Sequence, residues 1–244
     1  MSEIVYGFHA VKTLLERYPQ RILVLYLLKS RYDYRLKNLI QQVNNTKITI
    51  HFASRKWLDN KVSGAVHQGV IAKIQMSVQY QEKDLSVLLT KQDKPLLLVL
   101  DGVTDPHNLG ACLRCADAAG VNAVIVPRNH SAPLNATAKK VASGAAETVP
   151  LIQVTNLVRT LKVLKEHNIW IIGTVSKADH CLYQSKLTGP LALVMGSENK
   201  GIRHLTRVHC HDFVSIPMAN SIPFLNISVA AGICLFEAVR QRNF

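Results

Sequence analysis

LLVLDGVTDPHNLGACLRCADAAG, residues 97–120, is the stretch that decides the fold. The apolar run Leu96–Leu100 has the length and composition of a buried strand. Turn formers follow (Asp101, Gly102, Asp105, Pro106, Asn108, Gly110), and then an Ala-rich helix is predicted over 108–119, closed by Gly120 as a C′ glycine. In an open α/β sheet the carboxyl ends of the strands form a crevice, and reactive groups gather in the loops that leave it. Two residues stand out here. Asn108 lies where loop becomes helix, and Arg114 is a charge inside an otherwise apolar helix. Taken alone, they read as a helix cap and a solvated cation.

Working outward, the strand–helix rhythm continues to the end of the chain. Strands are predicted at 96–101, 122–127, 149–154, 169–174, 191–195 and 213–217, and helices at 108–119, 135–142, 156–167 and 226–241. That alternation specifies an α/β fold with a mainly parallel sheet covered on both faces. Residues 1–76 form a smaller α/β module, with strand-like runs at Ile22–Leu28, Lys47–Phe52 and Gly69–Ile74 and helical patterns at His9–Arg17 and Tyr34–Val43. Between them, 77–94 is polar and closed by Pro95, and reads as a linker with a short helix near Leu85–Leu89. The expected division is therefore 1–76, 77–94 and 95–244.

The chain carries a net charge of +13 and a pI near 9.7. The excess is +7 over residues 1–90 and +6 over the rest, so both parts suit a polyanionic partner, nucleic acid first. No stretch has the length of a membrane span, and MSEIVYGFHAVK lacks the apolar core of a signal peptide, so a cytoplasmic protein is expected. Five cysteines, an odd number, fit a reducing compartment. Cys112 and Cys115 form a C-x-x-C without a second pair, and at helical spacing they read as two packed thiols facing one way, not as metal ligands.

Two later segments change the weight of Asn108 and Arg114. The strand LALVM (191–195) runs into GSENKGI (196–202), where Gly196 lets the backbone turn and Glu198 stands at the strand's carboxyl end. The strand FVSIP (213–217) runs into MANSIPFLN, and Asn226 is placed to cap the apolar helix that follows. Three strand ends with Gly-, Asn- or Ser-rich loops suggest one crevice, in which Arg114, Glu198 and Asn226 are expected to meet.

The segments N-L-G-x-x-x-R (108–114), G-S-E-N-K-G (196–201) and I-P-M…L-N-I-S-V-A (216–230) resemble the three motifs of the SpoU/TrmH group of SPOUT RNA methyltransferases. YGFHAV (6–11) and HQGV (67–70) extend the likeness to nearly the whole chain. The resemblance implies a SPOUT domain with a deep trefoil knot behind a ribosomal-protein-like RNA-binding domain, and a homodimer. It implies S-adenosylmethionine as cofactor, with Gly196, Ile216, Met218 and Leu225 lining its pocket and no metal. It transfers catalytic roles to Asn108, Arg114, Glu198 and Asn226. The implied reaction is 2′-O-methylation of a guanosine ribose in 23S ribosomal RNA, in the loop that contacts peptidyl-site tRNA. Because free guanidinium is effectively never deprotonated, Arg114 is read as an electrostatic group for a developing oxyanion or a phosphate, not as the base. One departure is visible: the group usually has a serine before L-N, and here Phe224 stands there, preceded by Pro223. Ser221 or Ser228 could take over the missing hydroxyl.

Competing readings are separable. A Rossmann methyltransferase needs a G-x-G turn after its first strand and an acid after its second, and Asp101–Asp105 and Val126–Arg128 supply neither. A tRNA 2′-O-methyltransferase of the same group, or a non-catalytic RNA-binding assembly factor, keeps the motifs and differs in substrate or turnover.

Overall fold

The computed structural model describes residues 2–44, 46, 48–75, 80–198, 200–219 and 224–243, which fall into two compact units, 1–78 and 79–244. In the first unit β1 (Ser2–Tyr6), α1 (Phe8–Arg17), β2 (Ile22–Leu28), α2 (Tyr34–Asn44), β3 (Thr49–Ala53), α3 (Arg55–Lys61) and β4 (Val70–Gln75) build a four-stranded sheet of order β1-β4-β2-β3. β4 is antiparallel to both neighbours, and β2 and β3 are parallel. Val11, Leu14 and Leu15 of α1 and Leu36, Leu39 and Val43 of α2 recur at helical spacing and are buried against Leu25, Leu27 and Ala72 of the sheet.

The second unit contains α4 (Asp84–Thr90), β5 (Leu96–Asp101), α5 (Pro106–Ala118), β6 (Ala123–Pro127), α6 (Ala136–Ala142), α7 (Ala145–Thr148), β7 (Leu151–Val154), α8 (Leu157–Glu166), β8 (Trp170–Thr174), β9 (His180–Cys181), β10 (Leu191–Gly196), α9 (His204–Val208), β11 (Asp212–Ser215) and α10 (Ile227–Asn243). Its seven strands run in the order β7-β6-β5-β10-β8-β11-β9, and every pairing is parallel. The central strands are apolar throughout because both faces are covered. Leu96, Leu98 and Leu100 pack with α5, α6 and α10, whereas Leu97 and Val99 pack with α4 and α8. The seven-stranded sheet matches the expected class.

Three readings are corrected in detail. First, α5 begins two residues earlier than predicted: Asp105 is the N-cap, its carboxylate accepting the His107 N–H at 2.9 Å, with Pro106 at the first helical position. Asn108 is thus in the first turn and does not cap. The far end of α5 behaves as read, Gly120 taking φ +69° while the Gly120 and Val121 N–H groups bond to the Asp117 and Ala116 carbonyls. Second, residues 80–94 are part of the second unit. Leu85 and Leu89 of α4 are buried in its core, and Glu82 accepts hydrogen bonds from Arg159 and the Thr155 N–H. Residues 76–79 of the expected linker lie outside the described residues. Third, the last strand of the motif region is Asp212–Ser215, so Ile216, Pro217 and Met218 have already left the sheet.

The carboxyl ends of β5 and β10, which stand beside those of β8 and β11, are tied together by the loop after β10. Gly196 pairs with Asp101 at the ends of their strands. The loop then doubles back, Ser197 and Gly201 exchanging backbone hydrogen bonds at 3.1 and 2.8 Å. Asp101, fully buried, receives the Arg203 backbone N–H at 3.0 Å and its Nε at 2.6 Å. A Cβ on Gly196 would lie 2.1 Å from both the Gly201 carbonyl carbon and the Ile202 nitrogen, so only glycine admits this fold-back. Gly196→Ala is expected to destabilise the protein by ~3 kcal/mol or more, because the clash is with backbone. Gly120→Ala, with open space around its Cβ position, should cost only about 1 kcal/mol for its positive φ. Urea unfolding of the two variants checks the order, and an equal or reversed cost would contradict the fold-back as the constraint.

Candidate active site

The site is built at the crevice where β5, β10, β8 and β11 end. Asn108 is presented by the first turn of α5, Glu198 by the loop after β10, and Asn226 by the residue before α10. They meet. The Glu198 carboxylate oxygen Oε1 accepts from Asn108 Nδ2 at 3.0 Å, from Asn226 Nδ2 at 2.9 Å and from the Ile227 N–H at 3.3 Å. Asn226 Nδ2 also donates to Asn108 Oδ1 at 3.0 Å, closing the triangle. Its own Oδ1 accepts the Ser228 N–H at 2.9 Å and the Ser228 hydroxyl at 2.6 Å, which is the N-cap interaction read from the sequence. The carboxylate therefore sits on the positive end of a seventeen-residue helix and on two side-chain amides.

The expected meeting of Arg114 with Glu198 and Asn226 is not what the chain does; Asn108 takes that place. Arg114 is six residues beyond Asn108, roughly a third of a turn away around the helix. It is exposed and, among the described residues, makes no hydrogen bond to the triangle. Its neighbour Cys115 touches the start of α10, its thiol 3.7 Å from the Ser228 carbonyl. Burial pushes the Cys112 thiol up to about 12, with the Cys115 and Glu198 charges adding to it, which keeps that cysteine protonated and in the core.

Beside the triangle lies a groove of about 420 Å³. All four residues assigned to a cofactor pocket, Gly196, Ile216, Met218 and Leu225, line it, as do Glu198 and Phe224. Its lining is apolar at Ile202, Ile216, Met218 and Leu225, and is completed by Gly196 and Gly201 with the polar Thr174, Ser176 and Lys200. An aromatic heterocycle joined to a polar, charged chain needs that combination of apolar wall, glycine backbone and a few polar groups, so these residues fit S-adenosylmethionine. Phe224 is 58% exposed at the groove's edge. Of the two serines considered as substitutes for its missing hydroxyl, Ser228 is engaged by Asn226, and Ser221, like Pro223, lies outside the described residues.

The pairing of buried Asp101 with the exposed Arg203 was not anticipated. Asp101 looked like a turn former, and nothing local links it to a residue 102 positions away. The signal that could have found it is an acid ending a wholly apolar strand, since a buried carboxylate demands a partner.

Residues 95–236 match the profile of the SpoU rRNA Methylase family, and residues 4–80 match that of the RNA 2′-O ribose methyltransferase substrate-binding domain. The 23S rRNA (guanosine-2′-O-)-methyltransferase RlmB of Photorhabdus laumondii is 65% identical over 243 residues, covering all of both chains. The protein of the same name from Escherichia coli K12 is 63% identical, again over the full length of both. Among solved structures, the SpoU methyltransferase AviRb of Streptomyces viridochromogenes, crystallised with AdoMet, aligns with a TM-score of 0.79 over 99% of this chain and 90% of that one, at 24% identity, a likeness of fold. The TrmH/SpoU tRNA modifying enzyme of A. aeolicus aligns at 30% identity and a TM-score of 0.57, over 66% of this chain and 82% of that one. A seven-stranded parallel sheet whose motif loops converge on one groove, and full-length likeness at these identities, lead to one assignment: the chain belongs to the SpoU rRNA methylase family.

Proposed function

We propose that this chain methylates the 2′-hydroxyl of a guanosine ribose in 23S ribosomal RNA, using S-adenosylmethionine. The observation that carries the reading is the hydrogen-bonded triangle of Asn108, Glu198 and Asn226 at the rim of the groove. The full-length relatives named for that reaction support the choice of substrate. The cofactor, when bound, supplies an electrophilic methyl group on a sulfonium.

The remaining work falls to the protein. Gly196, Ile216, Met218 and Leu225 hold the cofactor, and the trefoil-knotted path expected of the fold would bring their loops together. Glu198, one oxygen of which takes three N–H donors, fixes the two asparagine amides. Asn108 spends one amide N–H on Glu198, which leaves its second for an oxygen of the ribose. Arg114, solvated in the lone chain, places a permanent positive charge where RNA approaches, offsetting negative charge on the 2′-oxygen or an adjacent phosphate. The N-terminal unit docks flanking RNA, whose loops expose bases and 2′-hydroxyls.

The reading includes a homodimer. α10 buries Ile227, Ala231, Cys234, Leu235 and Ala238 inside its own unit but leaves Val229 and Phe236, two turns apart, half-exposed on another face. A second copy seated on that stripe would cover it and lie alongside Arg114, whose neighbour Cys115 touches the start of the same helix. The reading places the enzyme in the cytoplasm, where ribosomal RNA is made.

The function is tested by mapping 2′-O-methyl groups on 23S ribosomal RNA transcribed without modification, after incubation with enzyme and cofactor. A single methylated guanosine ribose is expected; methylation confined to tRNA, or to a base, would replace the substrate assignment. Arg114→Ala should lower the single-turnover rate by about 10²–10³-fold while leaving cofactor affinity nearly unchanged. A rate within threefold of wild type removes Arg114 from the mechanism. Phe236→Asp should convert a dimer at micromolar concentration to monomer, measured by sedimentation, and impair transfer; a monomeric, fully active wild-type protein contradicts the dimer.

A further inference from the structure

At the opposite end of the large sheet, away from the crevice, Trp170 opens β8 and is 49% exposed. The ring is not loose. It stacks on His211 with centroids 4.3 Å apart and planes inclined by 10°. His211 is itself fixed, because its Nδ1 accepts the Ile171 N–H at 2.9 Å. That bond needs a neutral imidazole, and burial together with the Lys165 charge keeps the His211 pKa below its ordinary value.

Trp170 also lines a groove of about 630 Å³, and His211, stacked on the indole, is not among the lining residues. The groove's other polar walls come from Lys94, Lys186, His180, Gln184 and Asp212. Lys165 acts on both His209 and His211, and Lys162 on His209, each adding to burial in lowering the imidazoles' affinity for protons. A rigid aromatic plate beside two exposed lysines presents a stacking surface and phosphate partners at once, and the methyl-transfer site uses none of these residues.

We propose that this groove is a second RNA contact, which takes one unpaired nucleotide of a single-stranded segment: its base on the free face of Trp170, its flanking phosphates on Lys94 and Lys186. Asp212 is the acceptor that orients the base through an edge N–H. The pre-stacked indole costs little ordering when a base settles on it, and stacking tolerates any base. The identity of the ligand rests on the reading of the chain as an RNA-acting enzyme, but the site itself is independent of the transfer chemistry.

Trp57 and Trp170 are the two tryptophans of the chain, so a Trp57→Phe protein emits from Trp170 alone. In that full-length background, titration with a hexa-adenylate RNA should quench the emission to saturation. AMP should bind at least tenfold more weakly. Replacing Lys94 and Lys186 together by Ala should weaken the RNA affinity read at Trp170 and make its log–log salt slope shallower by about 1.4, from roughly 0.7 per phosphate contact. Trp170→Leu, followed by anisotropy of a labelled RNA, should lose about tenfold in affinity. Emission indifferent to RNA up to millimolar concentration, or quenching with unchanged affinity in the double lysine variant, overturns the proposal. AMP binding as tightly as the hexamer overturns it in favour of a free-nucleotide site. Because the readout is emission and not methyl transfer, an enzyme that still methylates ribosomal RNA with none of these effects refutes this site and leaves the proposed function standing.

Discussion

The Glu198 carboxylate is the point on which the site depends. A single oxygen collects the side-chain amides of Asn108 and Asn226 and the Ile227 backbone N–H, three donors from two different helix starts. Charge-assisted hydrogen bonds of this kind are roughly twice as strong as neutral ones, and an anion at a helix N-terminus is further favoured by the helix dipole. The same carboxylate stands in a loop that lines the groove proposed for the cofactor. Groove lining, helix start and the Asn108 amide thus share one anchor, and displacement of any one of them moves the others.

That anchor is held from below. The loop carrying Glu198 leaves β10 at a glycine pressed against its own return path and re-enters the domain at Arg203, clamped to the buried Asp101 at the end of β5. Since β5 and β10 are neighbours in register, with Gly196 opposite Asp101, the sheet sets the height of the loop. α10 is fixed at its other end too. There Gln241 bridges the Ser185 carbonyl and the Leu187 N–H, and Arg242 caps the carbonyls of Lys94, Leu187 and Gly189. A helix pinned at both ends can present its first turn to the site with little freedom, which is what preorganised catalysis requires.

Much of this was legible in the sequence, and the parts that were not share a cause. The strands Leu96–Asp101, Ala123–Pro127 and Leu191–Gly196 are apolar on both faces and stood out as continuous runs. The long amphipathic helices stood out by period. β1, β9, α3, α7 and α9 did not, because two to seven residues are too few to show a period against the background, and their structure comes from what they pack on. Asn226 as a cap was readable, since capping is local. The exchange of Arg114 for Asn108 in the triangle was not. The motif names both residues, about a third of a turn apart on α5, and only the packing of that helix in the fold decides which of them meets Glu198. The acid at the end of an apolar strand marked Asp101 as needing a partner, but nothing local names Arg203, 102 positions away, as that partner.

The central claim is that Glu198 acts by holding Asn108 and Asn226, so that the three behave as one unit. A double-mutant cycle measures this most directly: Glu198→Ala, Asn226→Ala and the double variant, each read for cofactor Kd and for single-turnover methyl transfer to ribosomal RNA. Residues in one hydrogen-bonded network couple by about 0.5–3 kcal/mol. The account predicts that the double variant is within about threefold of Glu198→Ala alone in rate, because the first substitution already releases the second residue. If the two losses multiply instead, Glu198 and Asn226 act independently and the shared-anchor account is wrong.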